Sequence, residues 1–212
     1  MRVREGRIPF LERHVARLER SLRQLGLPRS SQDVAALVRP FAETGDAVLR
    51  VEVLDGRASV TVRELPPLDP PAVITASEPH RPYAHKTTER GCFVTAAAQA
   101  ERAGADDALL LTAEGLVAEG TVWTLCWWEG GRPRTPTLEL GILPGIGRAR
   151  VLELVPQVEE GWYRRAGLDG KSLFLTNAVR GVVPIASLDE EPVPADARTE
   201  DLARRFWPEG TP

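Results

Sequence analysis

Lysine is scarce in this sequence: of 27 basic side chains only Lys86 and Lys171 are lysines, and the rest are arginine. Cysteine is equally scarce, and Cys92 and Cys126 lack the paired spacing of a zinc site or a disulfide framework. His14, His80 and His85 form no metal-ligand spacing with acids or cysteines, so no metal is expected. No serine lies in a nucleophile-elbow pattern. The basic residues are scattered, with no basic run interleaved with aromatics, and the net charge is only −3. That balance gives no reason to expect nucleic acid or an anionic membrane as a partner. No apolar stretch approaches the length of a membrane span, and the opening Met-Arg-Val-Arg-Glu-Gly is too polar for a signal peptide. These absences point to a soluble protein of a reducing, cytoplasmic compartment.

What is present is an ordinary globular composition: 212 residues, 42% of them hydrophobic, enough to bury a sizeable core. Leu11, Val15, Leu18, Leu22 and Leu25 recur at helical spacing, and the pattern ends near Gly26 and Pro28. A second helix is expected after Ser30 or Ser31, burying Val34, Leu37, Val38 and Phe41. Residues 47–54 and 58–63 read as strands joined by Asp55-Gly56, a strong hairpin signal. The proline-rich stretch 65–71 reads as a linker, which predicts a small domain over 1–71 and a larger one over 72–212. In the larger domain strands are expected at 72–77, 108–112, 116–119, 122–128, 172–176 and 182–188. Helices are expected around 95–103, from the 141–147 loop through 154, and at 199–206. Because helices and strands do not alternate regularly, an α+β fold is expected rather than a doubly wound sheet.

A few residues attract chemical interest. Lys86 lies in Tyr83-Ala-His-Lys-Thr-Thr-Glu-Arg90, between an expected strand and helix. By itself it is either a solvated loop lysine or an amine whose pKa falls on burial, leaving a nucleophile for a carbonyl. Glu119, in Val117-Ala-Glu-Gly-Thr121, is either a turn residue or a buried partner for a cationic ring nitrogen. The glycines of 141–148 (GILPGIGR) let backbone amides approach an anion at a helix start, but they also suit a plain tight connection. Arg17 is either a phosphate clamp or one more solvated helix arginine beside Arg13, Arg20 and Arg23. Strand alternation sends Trp127 and Trp128 to opposite faces, which suggests core or dimer packing.

Taken in order, these segments resemble the class IV aminotransferase family, the fold-type IV pyridoxal-phosphate (PLP) enzymes. The resemblance begins at Gly6–Ser21 (GRIPFLERHVARLERS), which is similar to the family's G-x-x-x-x-L-x-x-H-x-x-R-L-x-x-S helix. It continues through His85-Lys86-Thr-Thr, Gly104-Ala-Asp-Asp-Ala-Leu-Leu and Glu114-Gly-Leu-Val-Ala-Glu-Gly-Thr121. It resumes at Thr135-Pro-Thr-Leu, Gly141–Arg148 and Phe174-Leu-Thr-Asn-Ala178. The resemblance implies a two-domain, D-amino-acid-aminotransferase-like α+β fold, with a small N-terminal α/β domain and a larger β-rich one. It implies a homodimer with the active site between the domains, near the subunit interface, and a small-molecule amino substrate.

Position by position, the resemblance assigns Lys86 to the covalent bond with pyridoxal phosphate and to shuttling the substrate proton. Glu119 pairs with the ring nitrogen, and Leu143 packs on the ring. Arg17 and the amides of Ile146 and Gly147 hold the phosphate, and Asn177 and Ala178 complete the cofactor contacts. Thr176-Asn-Ala178 followed by Pro184 is closer to aminodeoxychorismate lyase than to the aminotransferases, which tend to place a phosphate-binding Thr where this chain has Ala178. The lyase reading implies conversion of 4-amino-4-deoxychorismate to 4-aminobenzoate and pyruvate in folate synthesis. The alternatives are a branched-chain or D-amino-acid type transaminase, or a non-catalytic relative.

The sequence departs from the family pattern at named points. It begins at what resembles the tail of the family's Gly-rich G-x-F-E-T stretch. Gly147 stands where Thr or Ser is usual, Thr124 where Asn is usual, and Gly91 where branched-chain enzymes carry Tyr.

Overall fold

The computed structural model describes residues 1–208, which divide into two compact units, the first over Met1–Pro67 and the second from Leu68 onward. In the first unit β1 (Arg2–Val3) precedes α1 (Leu11–Gln24) and α2 (Val34–Val38), followed by the hairpin β2 (Ala47–Leu54) and β3 (Arg57–Glu64). All three strands pair antiparallel in the order β1-β2-β3. The turn residues Asp55 and Gly56 both have positive φ, 49° and 76°. That is the backbone a two-residue hairpin turn requires, and it explains why Asp-Gly marked the turn so clearly. Asp33 caps α2 by accepting from the Ala36 amide. The single helix expected through Phe41 is instead interrupted. Pro40 stands at the start of a 3-10 segment over Arg39–Thr44, because proline has no amide to continue the α-helical ladder. Val3, Val38, Ala47 and Leu49 form the core of this unit.

The second unit opens with β4 (Ala72–Thr75), α3 (Gly91–Arg102), β5 (Asp107–Leu111) and β6 (Val117–Gly120). It continues with β7 (Thr124–Glu129), β8 (Arg132–Pro136), α4 (Ile146–Leu154), β9 (Glu159–Gly161) and β10 (Ser172–Asn177). It closes with β11 (Gly181–Pro184), β12 (Ser187–Leu188), β13 (Glu191–Pro192) and α5 (Ala197–Arg205). Two five-stranded sheets result, ordered β13-β12-β4-β5-β6 and β11-β10-β7-β8-β9. The main core, with Val73, Leu109, Val117, Leu125, Trp127, Leu173 and Leu175, draws on both sheets. A second cluster packs Phe93, Ala96 and Ala100 of α3 against Ala108 and Leu110. Leu109 thus faces one core while its neighbours Ala108 and Leu110 face the other, so β5 is apolar on both faces beyond Asp107.

Trp127 and Trp128 do point to opposite faces of β7, and both are buried within the chain. Trp127 packs edge-on to Tyr163, and Trp128 packs near Phe174 while donating to Thr199. Strands β8 and β9 escaped the sequence reading. The first carries two prolines after Gly130-Gly131, and the second is three residues long and polar. Among the described residues no helix is long and apolar enough to cross a membrane, and no cluster of three or more His, Cys, Asp or Glu can hold a metal ion.

Candidate active site around Glu119

The site starts from an irregular strand pair. Leu109 of β5 faces Gly120 of β6, yet Leu111 faces Val117, so β6 carries one residue more than β5 across this interval. Such a bulge re-aims a side chain that strict alternation would send elsewhere. Two residues beyond Val117, Glu119 would otherwise join Val117 in the main core. It turns instead toward His80, whose ring packs edge-on to Phe93 of the second cluster. The alternatives left open for Glu119 are thereby resolved in favour of burial.

Glu119 Oε1 accepts from the Leu143 amide at 3.1 Å and lies 3.0 Å from His80 Nε2. The two side chains are only 7% and 1% exposed. The oxygen of a carboxylate only accepts, so with Glu119 as the carboxylate His80 Nε2 is the donor. Both bonds fall on one oxygen, and among the described residues Oε2 has no hydrogen-bond partner.

Leu143 belongs to the 141–145 loop, which leads from Glu119 to the N-terminus of α4. Its first helical residues, Ile146 and Gly147, carry amides without intrahelical acceptors, the arrangement that suits an anion. Gly147 has a further reason to be glycine. A Cβ there would lie 2.6 to 2.8 Å from the backbone Cα, C and N of Asn177. The start of α4 is therefore pressed against the end of β10. At that end the Asn177 side chain accepts from the Val179 and Arg180 amides and donates to Val122 O, closing the turn that presents Ala178. Thr124 stands beside the same corner, its Oγ1 at 3.2 Å from where a Gly145 Cβ would be.

Lys86 is carried on the irregular segment between β4 and α3, and the residue is exposed. Tyr83 ties that segment to the rest of the site. Its amide donates to Gly141 O at 2.6 Å, and its hydroxyl donates to Thr87 O at 2.7 Å, closing a turn around Lys86. Burial raises the Tyr83 pKa; Arg90 and the Thr87 hydrogen bond pull it the other way, and Glu119 adds to the rise. Arg90 lies over the Phe93 ring and donates to Thr121 O, anchoring the start of α3 beside the end of β6. Burial also raises the pKa of Asp107, which accepts from Thr121, and drives the Cys126 thiol up to about 12, so Cys126 is inert packing.

Glu119, Leu143, Ile146, Gly147, Asn177 and Ala178 thus form one continuous stretch of this unit, with Lys86 tied to it through Tyr83. Arg17 lies on α1 in the first unit, half-buried. From the sequence His80 is weighed only as a metal ligand, and Tyr83 is given no role. His80 is 39 residues from its partner, and no local pattern announces the pair. Pyridoxal phosphate fits these residues: backbone amides at a helix start suit its phosphate, and the buried carboxylate suits its ring nitrogen.

The profile of the family described as Amino-transferase class IV matches residues 1–188. A protein from Thermotoga maritima named a probable branched-chain-amino-acid aminotransferase is 28% identical over 240 aligned residues, spanning 96% of this chain and 82% of its own. Bacillus subtilis aminodeoxychorismate lyase is 30% identical over 89 residues, 40% of this chain and 30% of the lyase. A hypothetical aminotransferase from Mycobacterium tuberculosis, solved in a PLP-bound form, superposes with a TM-score of 0.85 over 96% of this chain and 84% of its own. At 21% identity that likeness is one of fold.

Proposed function

Since this chain belongs to the class IV aminotransferase family and pyridoxal 5′-phosphate is its cofactor, we propose that it is a lyase converting 4-amino-4-deoxychorismate to 4-aminobenzoate and pyruvate. The observation that carries this reading is Ala178. The Asn177 side chain is spent on the turn amides, Gly147 has no side chain, and so residues 147 and 178 offer the phosphate backbone groups alone. The family's transaminases tend to place a threonine hydroxyl where this chain has Ala178, and a Bacillus lyase is among the relatives it matches.

Bound pyridoxal phosphate supplies an electron sink for charge developing on the substrate carbon that bears the amine. The chain's own residues do the rest. Lys86 Nζ takes the proton from that carbon, a task that requires the neutral amine. The Glu119 carboxylate provides the counter-charge at the ring nitrogen. Leu143 excludes water from one ring face, and the Ile146 and Gly147 amides bind the phosphate. A homodimer and a role in folate synthesis complete the proposal.

The test combines two assays of the PLP-loaded protein. Borohydride reduction followed by peptide mapping should label Lys86 and leave Lys171 unlabelled; with only two lysines the outcome is binary. 4-Amino-4-deoxychorismate should then yield 4-aminobenzoate and pyruvate in equal amounts. Amino transfer to 2-oxoglutarate without release of 4-aminobenzoate would establish the transaminase reading, which the extent of the Thermotoga relative's match favours. Absence of both a visible chromophore and a reducible adduct would mark a non-catalytic relative.

A further inference from the structure

We infer that His80 is a positioning residue for the cofactor: its Nε2 proton, with the Leu143 amide, locks Glu119 Oε1 so that Oε2 is presented to the ring nitrogen. This inference rests on the reading of Glu119 as the ring's counter-charge. Three observations support it.

The first is the sharing of one oxygen. His80 at 3.0 Å and the Leu143 amide at 3.1 Å converge on Oε1, which fixes the rotation of the carboxylate about its last torsion and fixes the His80 tautomer. A carboxylate with one oxygen doubly held has one orientation left for its other oxygen. The second is burial. Both side chains are almost fully buried, so water does not compete for either bond, and a hydrogen bond to the carboxylate keeps strength it would lose at the surface. The third is that His80 is itself held. Its amide donates to Leu111 O at 2.7 Å, continuing the pairing that begins with Ala76 N and Leu109 O. Its ring is wedged edge-on to Phe93 at 5.9 Å. Backbone bond and ring contact together leave the imidazole little freedom except to point at Glu119.

The Leu143 amide adds a coupling. The residue expected to cover the ring and the carboxylate expected to pair with it are joined by one hydrogen bond, and His80 braces the same carboxylate oxygen. An unbraced carboxylate would sample rotations in which neither oxygen meets the ring nitrogen. The cofactor would still bind by its phosphate, but with an altered electronic environment.

The experiment uses the full chain and two readouts besides turnover: the dissociation constant for PLP and the visible absorption of the bound cofactor. His80→Leu should weaken PLP binding by about tenfold, the effect of losing one hydrogen bond to a charged group, and should shift the absorption band. His80→Gln places an amide N–H near the position of Nε2 and should recover most of both. A purely structural histidine would show loss with both substitutions and an unmoved band in whatever protein binds PLP, and that pattern overturns the inference. Glu119→Gln separates the two levels of the argument. If it leaves band and affinity unchanged, the counter-charge reading falls; if it changes both while His80→Leu changes neither, only the role of His80 falls. Should His80→Leu not fold, the wild-type protein still decides. With only three histidines, nitrogen-15 histidine labelling resolves the His80 Nε2 proton. It should appear far downfield and move when PLP is added; an unprotonated or unmoved Nε2 overturns the proposal.

Discussion

At position 147 a hydrogen atom faces the Asn177 backbone where a methyl group would sit at 2.6 to 2.8 Å from three of its atoms. Backbone cannot swing aside as the end of a side chain can, so Gly147→Ala must separate α4 from β10. Overpacking of this kind costs about 1–3 kcal/mol. Thermal unfolding of the cofactor-free variant should show that loss, and PLP titration should show weaker binding, since the amides of Ile146 and Gly147 move with the helix. Gly147→Ser, which would restore the hydroxyl usual in the family, should therefore weaken PLP binding and not strengthen it. A variant that binds PLP more tightly would mean that the helix start can yield without loss. The sequence showed the missing hydroxyl. It did not show that the hydroxyl has no room, because the obstruction comes from a strand thirty residues further along.

Among the elements, the segment carrying Lys86 has no regular secondary structure, and its conformation hangs on Tyr83. The phenol closes the turn on Thr87 O, and the Tyr83 amide attaches it to the 141–145 loop. Tyr83→Phe keeps the ring contact with Phe93 and removes only the hydroxyl bond. A loss of about 0.5–1.5 kcal/mol in stability is expected from denaturant titration. Borohydride labelling of Lys86 should also slow as the turn opens; unchanged labelling would show that the hydroxyl is not what shapes it. Elements of this kind explain which parts of the fold were legible. The Asp55-Gly56 hairpin and α1 follow from local rules and lie where the sequence put them. The strand carrying Glu119 was legible, but the direction of its side chain was not. A bulge is a relation between two strands, and β6 alone, reading Val-Ala-Glu-Gly, gives no sign of it.

For the molecule as a whole, the ordered motifs made the family and cofactor legible before any coordinates, while the supporting contacts required them. Lys86, Glu119 and the α4 start are local sequence patterns. The pairing of His80 with Glu119 and the approach of Gly147 to Asn177 link residues 39 and 30 positions apart, beyond any local rule. Those links also predict how the cofactor should act on the chain. It would engage the segment before α3, the bulged β6 and the start of α4 together, so its binding energy adds to the stability of the folded unit alone. At a free PLP concentration one hundred times its dissociation constant the gain is about 2.7 kcal/mol. For a chain of this size that corresponds to a rise in melting temperature of about 5–10 °C. Scanning calorimetry with and without PLP measures it directly. Lys86→Met removes the covalent bond but leaves the carboxylate, the Leu143 face and the phosphate amides, so part of the rise should survive in that variant. If all of it disappears, the lysine supplies nearly the whole affinity; if none does, the cradle alone accounts for binding.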